Sequence, residues 1–310
     1  MSYLKKTIKY KNKYINLKSD LRINQRGGTI TKLDETDPLF NFPIPDKKIT
    51  FNTFKVGGEL YGKDYSCNIN LVKIKLDDKT DKPILFVVAG FSSESFMSAC
   101  YVILTKLKSL QTKFSSVYII DYSGMKDFQN FVCDQRENKL DAIPEKKLNK
   151  EIARFIHEIL LISDLSEFQK ENIHLLGKSN GGWIVTLLFK MYSGLYKGLY
   201  LAVPGIPNAV ESLTIESLSK SSIDPSFLSN TNFVFGFCHQ DAYPFGFGSI
   251  SNQEKLRYDE IMQRINQTIP LKFISYSEDT RVGDKSLLPD PKMYHELYQS
   301  MIDHIILSLQ

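Results

Sequence analysis

Gly177-Lys178-Ser179-Asn180-Gly181 is a G-x-S-x-G pentapeptide and carries the clearest chemical signal in the chain. A serine hydroxyl is a weak nucleophile until a neighbouring base takes its proton, so the surroundings matter more than the letters. Ile173-His174-Leu175-Leu176 ahead of it is a short apolar run suited to a buried strand. Residues 182–191 behind it form an apolar segment long enough for a buried helix. A strand, a sharp turn and a helix would strain the backbone of Ser179 and lift its hydroxyl clear. The two glycines would let strand and helix approach without a Cβ clash. The same turn sets N–H groups of a helix N-terminus beside the hydroxyl, where an oxyanion would form. The alternative is a Gly-rich β-to-α turn of another doubly wound fold. A phosphate-binding turn is disfavoured, because neither G-x-x-x-x-G-K-[ST] nor G-x-G-x-x-G occurs.

The elements that must position this turn follow a repeating pattern. Residues 49–56 and 65–76 alternate with β character around Gly57-Gly58 and Gly62, which predicts an antiparallel hairpin. Pro83 opens a continuous apolar run over 84–89, typical of a central parallel strand. The pattern then predicts a helix over 96–110, a strand over 117–121 and an amphipathic helix over 146–163. Beyond the turn it predicts strands over 199–203, 233–237 and 271–276 and helices over 252–266 and 294–309. A hairpin followed by β-α repeats implies a mostly parallel central sheet with helices on both faces.

Strand, G-x-S-x-G turn and helix within such a β-α series resemble the nucleophile elbow of the α/β-hydrolases, over about residues 49–310. The resemblance implies the α/β-hydrolase fold, Ser179 as nucleophile, and an acid and then a histidine later in the chain. The family's acid loop follows the strand at 233–237. Cys238-His239-Gln240-Asp241-Ala242-Tyr243-Pro244 has an Asp-x-x-Pro spacing similar to that loop, which points to Asp241. Asp279, after the last strand, is the rival. The family's histidine lies between the last strand and the closing helix, where His295 stands, although the loop over 278–293 is longer than usual. His304 lies deep in the closing helix and His239 precedes the acid. His157 and His174 fit helix-face and strand-entry positions without a functional role.

An oxyanion hole of this family would use the backbone N–H of Asn180 and, by position, that of Phe91 in Gly90-Phe91-Ser92-Ser93. Ala89-Gly90 replaces the frequent His-Gly, and the H-G-G-G variant is absent. Trp183 reads as core packing beneath the elbow. Residues 204–231 leave room for only a small cap, which implies a small or medium acyl group. Tyr243-Pro244-Phe245-Gly246-Phe247-Gly248 suits either pocket lining or plain loop packing. The implied activity is that of a serine hydrolase cleaving a carboxylic ester through an acyl-enzyme. No metal or organic cofactor is implied. Peptidases, thioesterases and acyltransferases share the same triad. The rival class is a non-catalytic hydrolase-fold structural or binding protein, including a virion component.

Composition bounds these readings. At 310 residues, 42% hydrophobic and 24% charged, the chain is ordinary for a globular protein and long enough for one large α/β domain or two small ones. No apolar run suffices to span a bilayer, and the basic N-terminus lacks the apolar core of a signal peptide. Cys67, Cys100, Cys133 and Cys238 are scattered without a C-x-x-C pair, so free thiols in a reducing, cytoplasmic compartment are expected. Five histidines without metal-ligand spacing argue against zinc.

The net charge of +4 is uneven. Residues 1–28 hold eight basic side chains against Asp20 alone, a balance of +7 that leaves −3 for the remainder. Nucleic-acid binding by the body is therefore not expected. Tyr3, Tyr10, Tyr14, Leu17 and Leu21 fall on one helical stripe that Gly27-Gly28 stops. The stripe is richer in tyrosine than suits a membrane-surface helix. A solvated basic helix or disordered tail is one reading. The segment also resembles the N-terminal segments of many proteins of large cytoplasmic DNA viruses, which implies an address and a location in host cytoplasm or virion. Gly27-Gly28-Thr29 resembles sites cut by viral SUMO-type proteases, whose narrow channel only Gly-Gly threads, so a processing protease is an expected partner. The expected layout is a tail over 1–28, a polar linker over 29–48 containing Pro38, Pro43 and Pro45, and the hydrolase domain over 49–310.

Overall fold

The structure is a computed structural model. It describes residues 30–33, 49–60, 63–90, 93–125, 143–192, 195–204, 232–238, 272–276 and 291–309. Nine strands form one sheet in the order β1-β2-β3-β5-β4-β6-β7-β8-β9. They are β1 (Ile30–Leu33), β2 (Ile49–Leu60), β3 (Lys63–Lys75), β4 (Ile84–Val88), β5 (Ser116–Asp121), β6 (Ile173–Ser179), β7 (Tyr196–Pro204), β8 (Asn232–Cys238) and β9 (Lys272–Tyr276). Strands β1 to β3 add antiparallel to one edge, and β5, β4, β6, β7, β8 and β9 run parallel.

The helices are α1 (Ser93–Thr105), α2 (Leu107–Gln111), α3 (Ile143–Ile162), α4 (Glu167–Glu171), α5 (Asn180–Met191) and α6 (Pro291–Ser308). Strand alternation divides the core into two layers. Ile84, Phe86 and Val88 face α3 and α5, with Ile152, Phe155, Ile156, Trp183, Ile184 and Leu188. Leu85, Val87 and Ala89 face α1, α2 and α6, with Phe96, Val102, Ile103, Leu110, Ile302 and Ile305. Every residue of β4 is buried, as a strand covered on both faces must be. No helix among the described residues is long and apolar enough to cross a membrane.

Strand β4 lies between β5 and β6. The chain therefore leaves β4 toward one side of the sheet and returns to pair on the other, with α1 and α2 on one face and α3 on the opposite face. Parallel α/β sheets bind ligands beyond the carboxyl ends of the strands at such a reversal. Register pairs Val88 with Gly177, so the end of β4 and the G-x-S-x-G turn lie side by side at that crevice.

Several elements differ from the sequence expectation. The hairpin does not turn at Gly57-Gly58. Its ladder runs through them, with Gly57 opposite Ser66 and Gly58 opposite Tyr65. A Cβ on Gly57 would lie 2.9 Å from the Tyr65 carbonyl oxygen, so glycine there serves a close backbone approach within a strand. The helix expected over 96–110 is two helices broken at Lys106, whose N–H turns back to the Ile103 carbonyl at 3.1 Å. Lys106 also pairs with Asp303 of α6 at 2.7 Å, tying the break to the closing helix. The short α4 was not expected. Its signal is the capping box of Ser166 and Gln169, two reciprocal side-chain bonds to backbone N–H groups. Strand β1 lies within the segment read as linker and pairs with residues 53–56 of β2. The helix expected over 252–266 lies outside the described residues.

Candidate active site

Ser179 ends β6 and caps α5, with φ 54° and ψ −128°. Among the described residues it is the only non-glycine with positive φ. Such a conformation costs an L-residue about 1–3 kcal/mol and persists only where packing dictates it. That packing comes from the flanking glycines. A Cβ on Gly177 would meet the Gly181 carbonyl oxygen and Val185 Cγ2 at 2.5 Å and Gly182 Cα at 2.6 Å. A Cβ on Gly181 would run into the carbonyl oxygens of Val88 and Ala89. The first turn of α5 therefore rests directly on the end of β4. The hydroxyl-bearing residue itself is only half-buried at the head of the crevice.

The surroundings of Ser179 can stabilise negative charge. Asn180 opens α5, so its N–H has no acceptor within the helix, and the positive end of the helix dipole points the same way. Gly90 lies against the serine, and a Cβ there would be 3.3 Å from Ser179 Cβ. The Gly90 N–H donates to Ser95 Oγ at 2.8 Å, which commits that amide and fixes the start of the loop after β4. Phe91, the expected second donor, lies outside the described residues.

Asp241, its rival Asp279 and His239 also lie outside the described residues. His295 is a residue of α6, which packs across β7 and β8. His304 lies further along α6, half-buried beside Met301, Ile302 and Ile305. Trp183 is 5% exposed within the α3–α5 core layer, in the packing role expected of it. Lys178 is buried on β6, level with Ala202 of β7 and Gly236 of β8, and burial pushes its pKa down to about 8. Cys67 and Cys100 are free, and burial pushes their thiols up to about 11 and about 12, so neither is poised as a nucleophile.

The two histidines of the sheet and its crossover serve packing. His174 is the second residue of β6, five positions and roughly 16 Å of strand away from Ser179. Its Nδ1 bonds the Tyr200 hydroxyl at 2.9 Å, and Phe114 packs edge-on against the ring. His157 on α3 stacks on Tyr192 at 3.5 Å and bonds the Tyr196 hydroxyl through Nδ1 at 3.2 Å, at the end of α5 away from Ser179. Its Nε2 has no hydrogen-bond partner among the described residues. Burial pushes His157 down to about 3 and, with help from Lys197, His174 down to about 4.

Both histidines are therefore neutral in the fold, whereas the unfolded chain protonates them below about pH 6.5. Stability is full above that pH and is lost as pH falls, because the unfolded state then binds more protons. Each is expected to cost about 2 kcal/mol by pH 5. Urea unfolding at pH 7 and pH 5 measures this, and a His157→Gln, His174→Gln double variant should lose most of the slope. An unfolding midpoint equal at the two pH values would refute it.

Residues that sequence reading missed lie beneath the elbow. Asn149 of α3, wholly buried, and Asn180 bond each other twice, Asn149 Nδ2 to Asn180 Oδ1 at 3.0 Å and Asn180 Nδ2 to Asn149 Oδ1 at 3.2 Å. Asn180 Nδ2 also reaches the Tyr122 hydroxyl at 3.4 Å, and that hydroxyl donates to the Ala89 carbonyl at 2.9 Å. The only sequence signal is a polar residue, Asn149, on the apolar face of a helix.

A parallel sheet in this strand order, with an antiparallel N-terminal edge, helices on both faces and a strained serine between β6 and α5, is the α/β-hydrolase fold. No protein-family model matches the chain, and no curated protein matches it in sequence. Solved structures match it. A ferulic acid esterase aligns with a TM-score of 0.50 at 12% identity, covering 85% of this chain and 98% of that one. A dienelactone hydrolase-like promiscuous phosphotriesterase, P91, from metagenomic libraries aligns at 0.46 and 10% identity over 85% and 99%. Est1E from Butyrivibrio proteoclasticus aligns at 0.44 and 13% identity over 82% and 98%. At these identities the likeness is one of fold.

Proposed function

We propose that this protein is a serine hydrolase that cleaves a carboxylic ester through an acyl-enzyme. The observation that carries the reading is the backbone of Ser179, held at φ 54° between two glycines whose positions tolerate no Cβ. Nothing in core packing calls for a strained, half-buried serine at a helix N-terminus, whereas a nucleophile needs it. In this reading Ser179 Oγ attacks the acyl carbonyl as His295 takes its proton. The N–H groups of Asn180 and Phe91 hold the oxyanion. His295, oriented by Asp241, then returns the proton to the departing alkoxide. Water, deprotonated by the same histidine, attacks the acyl-enzyme and frees Ser179. The short segment over 204–231 supports a small or medium acyl group. A fluorophosphonate probe tests the reading by forming a covalent adduct mapped to Ser179. No adduct would leave a non-catalytic hydrolase-fold protein as the better account.

The proposal extends to residues 1–28 as an addressing segment cut after Gly28. The charge step at Gly27-Gly28 supports it, and so does the position of β1, whose first residue is Ile30. Scattered cysteines and such an address support host cytoplasm or virion as the place of action. A chain starting at Thr29 keeps the whole sheet and is expected to unfold at the same temperature as the full chain. Intact mass of the natively produced protein reads the cut directly. A several-degree loss on truncation, or a natively produced chain wholly retaining Met1, would rule it out.

A further inference from the structure

The two halves of the expected oxyanion hole come from distant parts of the chain. One is the N–H of Asn180 at the elbow, and the other is the peptide that follows Ala89-Gly90 after β4. The hole works only if these donors keep a fixed separation while charge develops on the substrate oxygen. We infer that Tyr122, locked by the Asn149–Asn180 amide pair, is the positioning residue that holds the Asn180 donor fixed against the end of β4. The inference rests on the serine-hydrolase reading and adds to it the device that holds its oxyanion site rigid.

Hydrogen-bond counting fixes the direction of the network. The Tyr122 hydroxyl has one proton, and the Ala89 carbonyl at 2.9 Å can only accept it. The phenol oxygen must therefore accept from Asn180, which orients that amide with Nδ2 toward Tyr122 at 3.4 Å. The remaining N–H of Asn180 then meets Asn149 Oδ1, and Asn180 Oδ1 accepts from Asn149 Nδ2. Every group has one consistent assignment, so rotating the Asn180 amide would break three contacts together.

Each anchor is rigid. Asn149 is fully buried on α3, and Tyr122 is 1% exposed, one residue past the end of β5. Gly181 packs close against the Ala89 carbonyl, which its missing Cβ would strike. The phenol oxygen thus bridges the Asn180 side chain and the Ala89–Gly90 peptide at the end of β4. Ser95 adds a second hold on that peptide through the Gly90 N–H.

Tyr122→Phe removes one oxygen and keeps the ring. Asn180→Ala keeps the backbone N–H and removes the bridge together with both bonds to Asn149, and it provides a second route should the first variant fold poorly. Each is expected to slow phosphonylation of Ser179 and lower kcat on an activated short-chain ester about tenfold to a hundredfold, with KM changed less than about twofold. The double variant should lose no more than the worse single variant, because both break one bridge. Tyr196→Phe, which deletes a buried hydroxyl at the far end of α5, should lower the melting temperature while leaving kcat alone. A wild-type chain that takes no label overturns the serine-hydrolase reading and this inference with it. A labelled wild type whose Tyr122→Phe and Asn180→Ala variants react at its own rate, or lose kcat additively, overturns the inference alone.

Discussion

Replacing Ser179 by alanine is expected to lower kcat on a short-chain activated ester by about four to six orders of magnitude, as loss of a triad nucleophile does. The fold should survive, because neither side chain is needed to fill the half-buried position. His295→Gln should cost a similar amount, and the double variant little more, since members of one catalytic unit do not add. Asp241→Asn should weaken turnover too; if Asp279→Asn does so instead, the rival is the acid. Ser179→Gly sharpens the test. Glycine adopts φ 54° without strain, so this inactive variant should gain about 1 kcal/mol once its greater unfolded-state entropy is counted. Steady-state kinetics of these variants alongside urea unfolding decide the matter. Turnover by Ser179→Ala at the wild-type rate would show that the elbow is not catalytic.

What could be read in the sequence was what depends on neighbours along the chain. The elbow was legible because Gly177, Ser179 and Gly181 lie between an apolar strand and an apolar helix, and both glycines turn out to face backbone atoms at prohibitive range. The buried central strand after Pro83 was legible from its unbroken apolar run. Local signals misled where two outcomes share them. Gly57-Gly58 looked like a turn, yet glycine equally permits the tight cross-strand approach to Tyr65 that the ladder uses. The pattern over 96–110 is helical throughout, and the break at Lys106 follows from the tertiary contact with Asp303, 197 residues away. The bridge beneath the elbow was not legible at all, since Asn180 meets Asn149 at a separation of 31 residues and Tyr122 at 58. Assignment of the acid and the base came from position within a resembling family rather than from any property of those residues.

The largest structural effect is expected from Gly181→Ala. Gly181 sits in the first turn of α5, where the helix approaches the end of β4 so closely that a Cβ would overlap the carbonyl oxygens of Val88 and Ala89. Both obstacles are backbone. Val88 is locked into a ladder between β5 and β6, and Ala89 is held by Tyr122, so neither can turn aside as a flexible side chain would. The helix must back away from the sheet. That opens space beneath Trp183 and Ile184 in the α3–α5 core layer and pulls Asn180 from Asn149. Overpacking of this kind costs about 3 kcal/mol, at the upper end of the usual range because the strain cannot be shed locally. Gly177→Ala should cost less, since one of its three close contacts is the Val185 methyl group, which can rotate. Helix propensity alone argues the opposite, because alanine is favoured over glycine inside a helix by about 1 kcal/mol. Urea unfolding of the two variants separates the effects. A Gly181→Ala protein as stable as wild type would mean that α5 is not seated on β4 as closely as this geometry requires, and the strained serine would lose its cause.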